Sequence, residues 1–166
     1  MTTNSLVAEL NAYHRWATEK VLKLCDGVSD EELDRQRPMG FGSLRATLFH
    51  LLAAERLWMD RWRGKEWAPL ETDPAGISVA GLREAMLNAN AERQALITEE
   101  EQTGFTRIVE YRNLQKVFFR HEIGDLLLHV ENHAIHHRAQ ALNFLRHLGR
   151  TVAGGIDYLF YKIAFP

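Results

Sequence analysis

The chain has 166 residues, with 20 Lys and Arg against 22 Asp and Glu and a formal net charge of −2, a length that suits one domain over 1–166 with a sizeable core and no disulfide or other staple. Without a long run of like charge it lacks the basic face that normally supplies most nucleic-acid affinity, so a nucleic-acid partner is not expected. The single cysteine, Cys25, rules out an internal disulfide framework, fits a reducing compartment and reads as a packing residue at a helix end rather than a nucleophile.

Met1 to Leu10 carry neither the basic segment nor the continuous apolar stretch of a secretory signal. Later apolar stretches are broken by charge before reaching the roughly 20 residues that span a bilayer. A soluble, cytoplasmic protein without a membrane partner is expected. Asn4 or Ser5 is suited to cap a first helix reaching about Cys25, with Leu6, Leu10, Tyr13, Ala17, Val21 and Leu24 spaced three or four apart and Gly27 as its stop. Ser29-Asp30-Glu31-Glu32 reads as a cap and a short turn of helix. Pro38, Gly40 and Gly42 mark a loop, after which Ser43 caps a second helix to about Trp62, apolar on most of its circumference.

Gly64, Pro69, Pro74 and Gly76 then define a long crossover, which lets the second and third helices run in the same direction. The third helix spans Ser78 or Val79 to about Glu100, with Leu82, Met86, Ala89, Arg93 and Leu96 on one stripe. Acidic residues at its end oppose the helix dipole, so the last turn is expected to fray. Ile108-Val-Glu-Tyr111 and Val117-Phe-Phe119 flank Arg112-Asn-Leu-Gln115 in the pattern of a short β-hairpin. A fourth helix follows from about Ile123 to Leu148 and stops at Gly149. The tail from Gly155 to Pro166 is apolar enough to pack on the bundle or on a second subunit.

The fourth helix carries His129-Val-Glu-Asn-His133-Ala-Ile-His136-His137-Arg138-Ala-Gln140. At about 100° per residue, Leu126, Val130, Ala141, Phe144 and Leu148 share a sector roughly 60° wide. His137 projects into that sector and His133 lies at its near margin. His129 sits about 40° further out and His136 further still, toward a rim or solvent. Residues four apart on a helix are neighbours, so the imidazoles of His133 and His137 can converge on one ion. Neutral imidazoles suit Zn, Ni, Cu or Fe rather than Mg or Ca. The alternative is a hydrogen-bonded core pair with no metal.

A metal site of catalytic type needs a third donor, from among His14, His50, His121 and His147. Periodicity leaves this open: the strongest stripe of the second helix is Leu44, Leu48, Leu51, Glu55, Trp58 and Trp62, and His50 falls to one side of it.

The segment Ser43-Leu-Arg-Ala-Thr-Leu-Phe-His50-Leu-Leu-Ala-Ala-Glu55-Arg-Leu-Trp58, followed by the histidine motif of the fourth helix, resembles the DinB/YfiT-like family of metal-binding four-helix proteins, which is distinct from the DNA polymerase of similar name. Tyr13-His14-Arg15-Trp16-Ala17 and Asp157-Tyr158 are similar to further landmarks of that family, so the resemblance covers nearly the whole chain. It implies an all-α four-helix bundle, up-down-down-up, in which His50, His133 and His137 bind a divalent ion, nickel or zinc, often in a dimer. Two positions depart from the family pattern: Ala139 stands where Gly is usual, and His14 where Asn is common. His14 is open to a role as proton shuttle, extra ligand or hydrogen-bonding substitute. Gln140 suits a partner behind the metal ligands, and Arg138 suits that or a salt bridge on the bundle surface.

Three neutral histidines leave a metal its full charge, so a water at an open position is acidified toward a pKa of about 7, or a thiol there is deprotonated. The resemblance accordingly implies a metal-dependent hydrolase or a thiol S-transferase acting on a small molecule with a low-molecular-weight thiol as cosubstrate. Arg15, Arg56, Arg138 and Arg146 are candidates to hold the carboxylates of such a thiol, whereas neither Glu55 nor Glu131 stands where a general base is required. The competing reading is a non-enzymatic, stress-associated dimer braced by its metal. No serine nucleophile elbow or phosphate-binding glycine loop is present.

Overall fold

A computed structural model describes residues 3–165. In chain order the elements are α1 (Thr3–Leu24), α2 (Asp30–Asp34), α3 (Leu44–Trp62), α4 (Val79–Glu100), a 3-10 turn (Glu101–Thr103), β1 (Ile108–Arg112), β2 (Phe118–Glu122), α5 (Ile123–His147) and α6 (Tyr158–Ala164). The four long helices pack in a ring, α3 on α5, α5 on α1, α1 on α4 and α4 on α3.

Side-chain contacts give their directions. His14 meets Glu131, and further along both helices Arg150 bonds to the carbonyl of Leu24, so α1 and α5 run parallel. His50 meets His133 while Trp58 meets His129, so α3 opposes α5. Arg45 reaches the carbonyl of Ile77 and Arg63 reaches Glu99, so α3 and α4 run together. The topology is up-down-down-up, as the family resemblance implies, with the crossover between α3 and α4 where the glycines and prolines of the sequence place it.

The expected caps are in place. Ser29 and Glu32 form a reciprocal capping box, Ser43 accepts from the amide of Ala46, and Ser78 accepts from that of Gly81. The side chains of Asn4 and Ser5, read as caps of the first helix, lie outside the described residues. At the end of α5, Gly149 takes φ +72°, and the amides of Gly149 and Arg150 return to the carbonyls of Arg146 and Leu145. The end of α4 does not fray. It tightens into the 3-10 turn, and Glu100, buried, receives a hydrogen bond of 2.5 Å from Arg107.

The hairpin pairs antiparallel from Ile108 with Glu122 to Arg112 with Phe118. Pairing extends past the apolar run to Arg120, His121 and Glu122, because a ladder needs only backbone groups and these side chains face solvent. β2 passes into α5 without a linker, and the amides of Ile123 and Gly124 bond to the carbonyls of Arg107 and Phe105. The apolar tail forms α6 on α1, with Tyr158 and Tyr161 edge-on to Tyr13 and Lys162 paired to Glu9. Cys25 is buried and gives its S–H to the carbonyl of Val21, and burial pushes its thiol up to about 12, in keeping with a packing role. Among the described residues no helix is long and apolar enough to cross a membrane.

Two apolar clusters fill the bundle. One, around Leu48, Leu52, Leu82, Ala141 and Leu145, lies toward the crossover loop end; the other, around Trp62, Ile97, Phe105, Ile123 and Leu126, lies beneath the hairpin. Arg45 is buried in a helix whose sequence reads as apolar nearly all round. Its guanidinium donates to Asp34 at 2.7 Å, to Asp30 at 2.6 Å and to the carbonyl of Ile77 at 2.5 Å, tying α2 and the end of the crossover to α3. Both aspartates are solvent-exposed, so most of the loss on removing Arg45 comes from the buried carbonyl and the vacated volume. Arg45→Ala is expected to lower the unfolding free energy by about 1–3 kcal/mol, measured by urea denaturation.

Candidate metal centre

His50 of α3 and His133 and His137 of α5 offer ring nitrogens that all lie within 4.8 Å of one another. The Nε2 atom of His133 stands 3.2 Å from that of His50 and 3.1 Å from that of His137. Donors at 2.0–2.1 Å from a tetrahedral zinc sit roughly 3.3–3.4 Å apart, so this spacing is close to that of ligands around one ion. His121 and His147, the other candidates for a third donor, lie outside the cluster.

The polarity of the cluster matches this geometry. Gln140 Oε1 stands 2.8 Å from His137 Nδ1, and Gln140 Nε2 stands 3.0 Å from His136 Nε2. With the amide donating to His136, its oxygen accepts from His137 Nδ1–H, which leaves the Nε2 lone pair of His137 facing His133 and His50. A proton on His133 Nε2 satisfies His137 but not His50; a cation satisfies all three lone pairs. Burial, and then the neighbouring His137, hold His50 and His133 down at about 4, and burial lowers His137 as well, so the three are neutral near pH 7, as ligation requires.

The loop ahead of α3 closes one side. Phe41 stacks on His50 with ring centroids 4.0 Å apart. Gly40 adopts φ +52°, and a Cβ there would lie 3.3 Å from Gln140 Oε1 and 3.3 Å from Thr47 Oγ1. His129 and His136 are exposed, as their helical positions predict.

A second polar constellation lies on the side of α5 toward α1. His14 is buried between two carboxylates, its Nε2 2.7 Å from Glu55 and its Nδ1 2.9 Å from Glu131. Arg93 pairs with Glu55 at 3.0 Å and donates to Asn11 at 2.7 Å, while Arg138, wholly buried, pairs with Glu131 at 3.0 Å. Arg138 is therefore an internal ion-pair partner rather than a surface one. His14 is hydrogen-bonded to both carboxylates and is not part of the histidine cluster. Burial works to raise both carboxyls, but the charge of Arg93 and the contact with His14 hold Glu55 at about 2, and His14 with Arg138 lowers Glu131. Sequence reasoning missed this network, although its signal was there: Glu131 and Arg138, seven apart, lie on one face.

Two stability effects follow. In metal-free protein, His50 and His133 titrate at about 4 when folded and at about 6.5 when unfolded. The unfolded chain binds more protons between those values, so stability is flat above pH 6.5 and falls as pH drops through the window. Below about 4.5 the loss continues as the carboxyls of Glu55 and Glu131, depressed in the fold, protonate. The urea midpoint as a function of pH reads both phases. Arg138→Met takes away one of the two partners of the buried Glu131 carboxylate, leaving His14 alone, and should cost about 3 kcal/mol, seen in the same denaturation experiment.

The model of the DinB family matches residues 1–164. A DinB-like protein from Bacillus cereus ATCC 10987 superimposes with a TM-score of 0.63 at 22% identity, covering 84% of this chain and 90% of that one. YfiT from Bacillus subtilis, described as a probable metal-dependent hydrolase with an unusual four-helix bundle topology, gives a TM-score of 0.63 at 19% identity over 87% of this chain and 89% of its own. No curated protein is matched.

Proposed function

Given that the chain belongs to the DinB family, we propose that it is a metal-dependent enzyme of hydrolase type, with His50, His133 and His137 as ligands of one nickel or zinc ion. The observation that carries this reading is the gathering of three imidazole nitrogens, drawn from two helices, with the rings of His50 and His133 half-buried and that of His137 buried. The likeness to YfiT supports it at the level of the fold. An ion bound there supplies Lewis acidity and lowers the pKa of a coordinated water toward about 7. The cluster gathers three donors among the described residues, so positions remain for water and substrate, which favours chemistry over a purely bracing role.

The protein's own groups divide the remaining work. Gln140 fixes the ring of His137, Phe41 shields His50 from solvent, and the burial around the cluster keeps its rings unprotonated. Glu55 and Glu131 are committed to His14 and the two arginines, so neither acts as the base for water. Activated water is preferred over a thiol cosubstrate because three of the four arginines considered for its carboxylates are engaged elsewhere: Arg138 with Glu131, Arg56 with Glu71 and Arg146 with Asn143. Arg15 is exposed on α1. Leu159 and Ile163, exposed on α6, support a homodimer that covers them, and a single cysteine is in keeping with a cytoplasmic setting.

Elemental analysis of protein purified without a metal-affinity tag should find about one nickel or zinc per chain. His133→Ala/His137→Ala should bind none while keeping the helical circular dichroism of the native chain. Absence of metal in the native protein, with no uptake from added zinc or nickel, would sink the reading.

A further inference from the structure

Beside the histidine cluster, on the hairpin side of α5, a groove of about 320 Å³ opens between α3, the hairpin and α5. Its walls are Trp58, Tyr111, Phe119 and Leu126, and His129 lies between it and the cluster, 5.1 Å from Trp58 and 6.2 Å from His133 by ring centroids. That volume and lining are typical of a small-molecule pocket.

Arg61 sets this groove apart. Among the described residues four arginines are buried, Arg45, Arg61, Arg93 and Arg138. Three are neutralised by carboxylates, Arg45 by Asp30 and Asp34, Arg93 by Glu55 and Arg138 by Glu131. Arg61, only 5% exposed, has no carboxylate partner among the described residues. Its guanidinium lies 4.5 Å from the ring of Trp58 and 4.9 Å from that of Tyr111; it donates one hydrogen bond to the carbonyl of Arg112, and its Nε is buried without a partner. Aromatic faces and one carbonyl offset part of the cost of burying the cation, but removing a charge from water still costs several kcal/mol when no counter-ion answers it. Burial lowers the pKa of Arg61, the direction expected of a cation short of compensation. Asp125 also borders the groove, but it is exposed and forms no ion pair with Arg61.

We propose that the groove binds a planar aromatic carboxylate, whose ring lies among Trp58, Tyr111 and Phe119 and whose anionic group neutralises Arg61. The part of this inference that makes the ligand a substrate, with its reacting group turned past His129 toward His133, rests on the metalloenzyme reading; the binding itself does not. A carboxylate supplies the missing charge, and its planar body can lie against the aromatic wall in which Trp58 stands edge-on to Tyr111 at 5.2 Å and Tyr111 stacks on Phe119 at 5.8 Å by ring centroids.

The probes are benzoate and its neutral isostere benzamide, titrated into metal-free protein while the tryptophan indole N–H resonances are followed by NMR. Benzoate is expected to bind at least tenfold more tightly than benzamide and to shift the Trp58 signal. Arg61→Gln should abolish that preference, and Arg61→Lys should retain part of it. Because the titration uses metal-free protein, failure of the metal reading leaves this test intact. Equal affinity for the two probes in the native chain, no binding of either, or a preference undiminished in a folded Arg61→Gln protein would each overturn the proposal.

Discussion

Burying the Glu131 carboxylate and the Arg138 guanidinium costs several kcal/mol apiece in lost hydration, and the structure meets that cost only where each ion finds its counter-charge at hydrogen-bond distance. Because the partners sit on different helices, the requirement is geometric. His14 on α1 touches Glu131 on α5 and Glu55 on α3, and Arg93 on α4 reaches Glu55, so one connected set of polar contacts links all four helices of the bundle. A small slide or rotation of α5 breaks these contacts and leaves a buried charge exposed to apolar surroundings. Apolar packing alone tolerates such shifts far more readily, since one leucine contact can replace another.

The same helix therefore presents two polar faces with opposite electrostatics. Toward α1 it offers charged groups that are held charged by their neighbours; toward α3 it offers imidazoles that burial and mutual repulsion hold neutral. The first face fixes the rotation of α5, and the second depends on that rotation, because the Nε2 atoms of His133 and His137 meet His50 only when their side of the helix faces α3. Stability and the geometry of the histidine cluster are thus linked through a single element without sharing residues.

Much of this was legible in sequence because the signals were local. Caps at Ser29, Ser43 and Ser78, the stop at Gly149 and the period change at Ile108 each announce an element from a few adjacent residues. The i,i+4 spacing of His133 and His137 likewise carries its own geometry. His50 lay off the dominant stripe of its helix because α3 is buried on more than one side, so a single stripe does not describe what it faces; family resemblance was needed to single it out. Arg45, Arg61, Arg93 and Arg138 look alike in sequence, and only their partners, at separations of up to dozens of residues, show that all are internal and that they serve different ends.

Gly40 bears on how such a site can change over evolutionary time. Its left-handed backbone disfavours any side chain, a Cβ there would crowd Gln140 and Thr47 at 3.3 Å, and Gln140 is the residue that sets the ring of His137. The neighbouring Phe41 is exposed and touches the cluster through ring stacking alone on His50 and a looser tilt against His137. Divergence toward new substrates falls most cheaply on Phe41, whereas a mutation at Gly40 perturbs the donor set itself. One loop thus carries an adaptable position and a constrained one side by side.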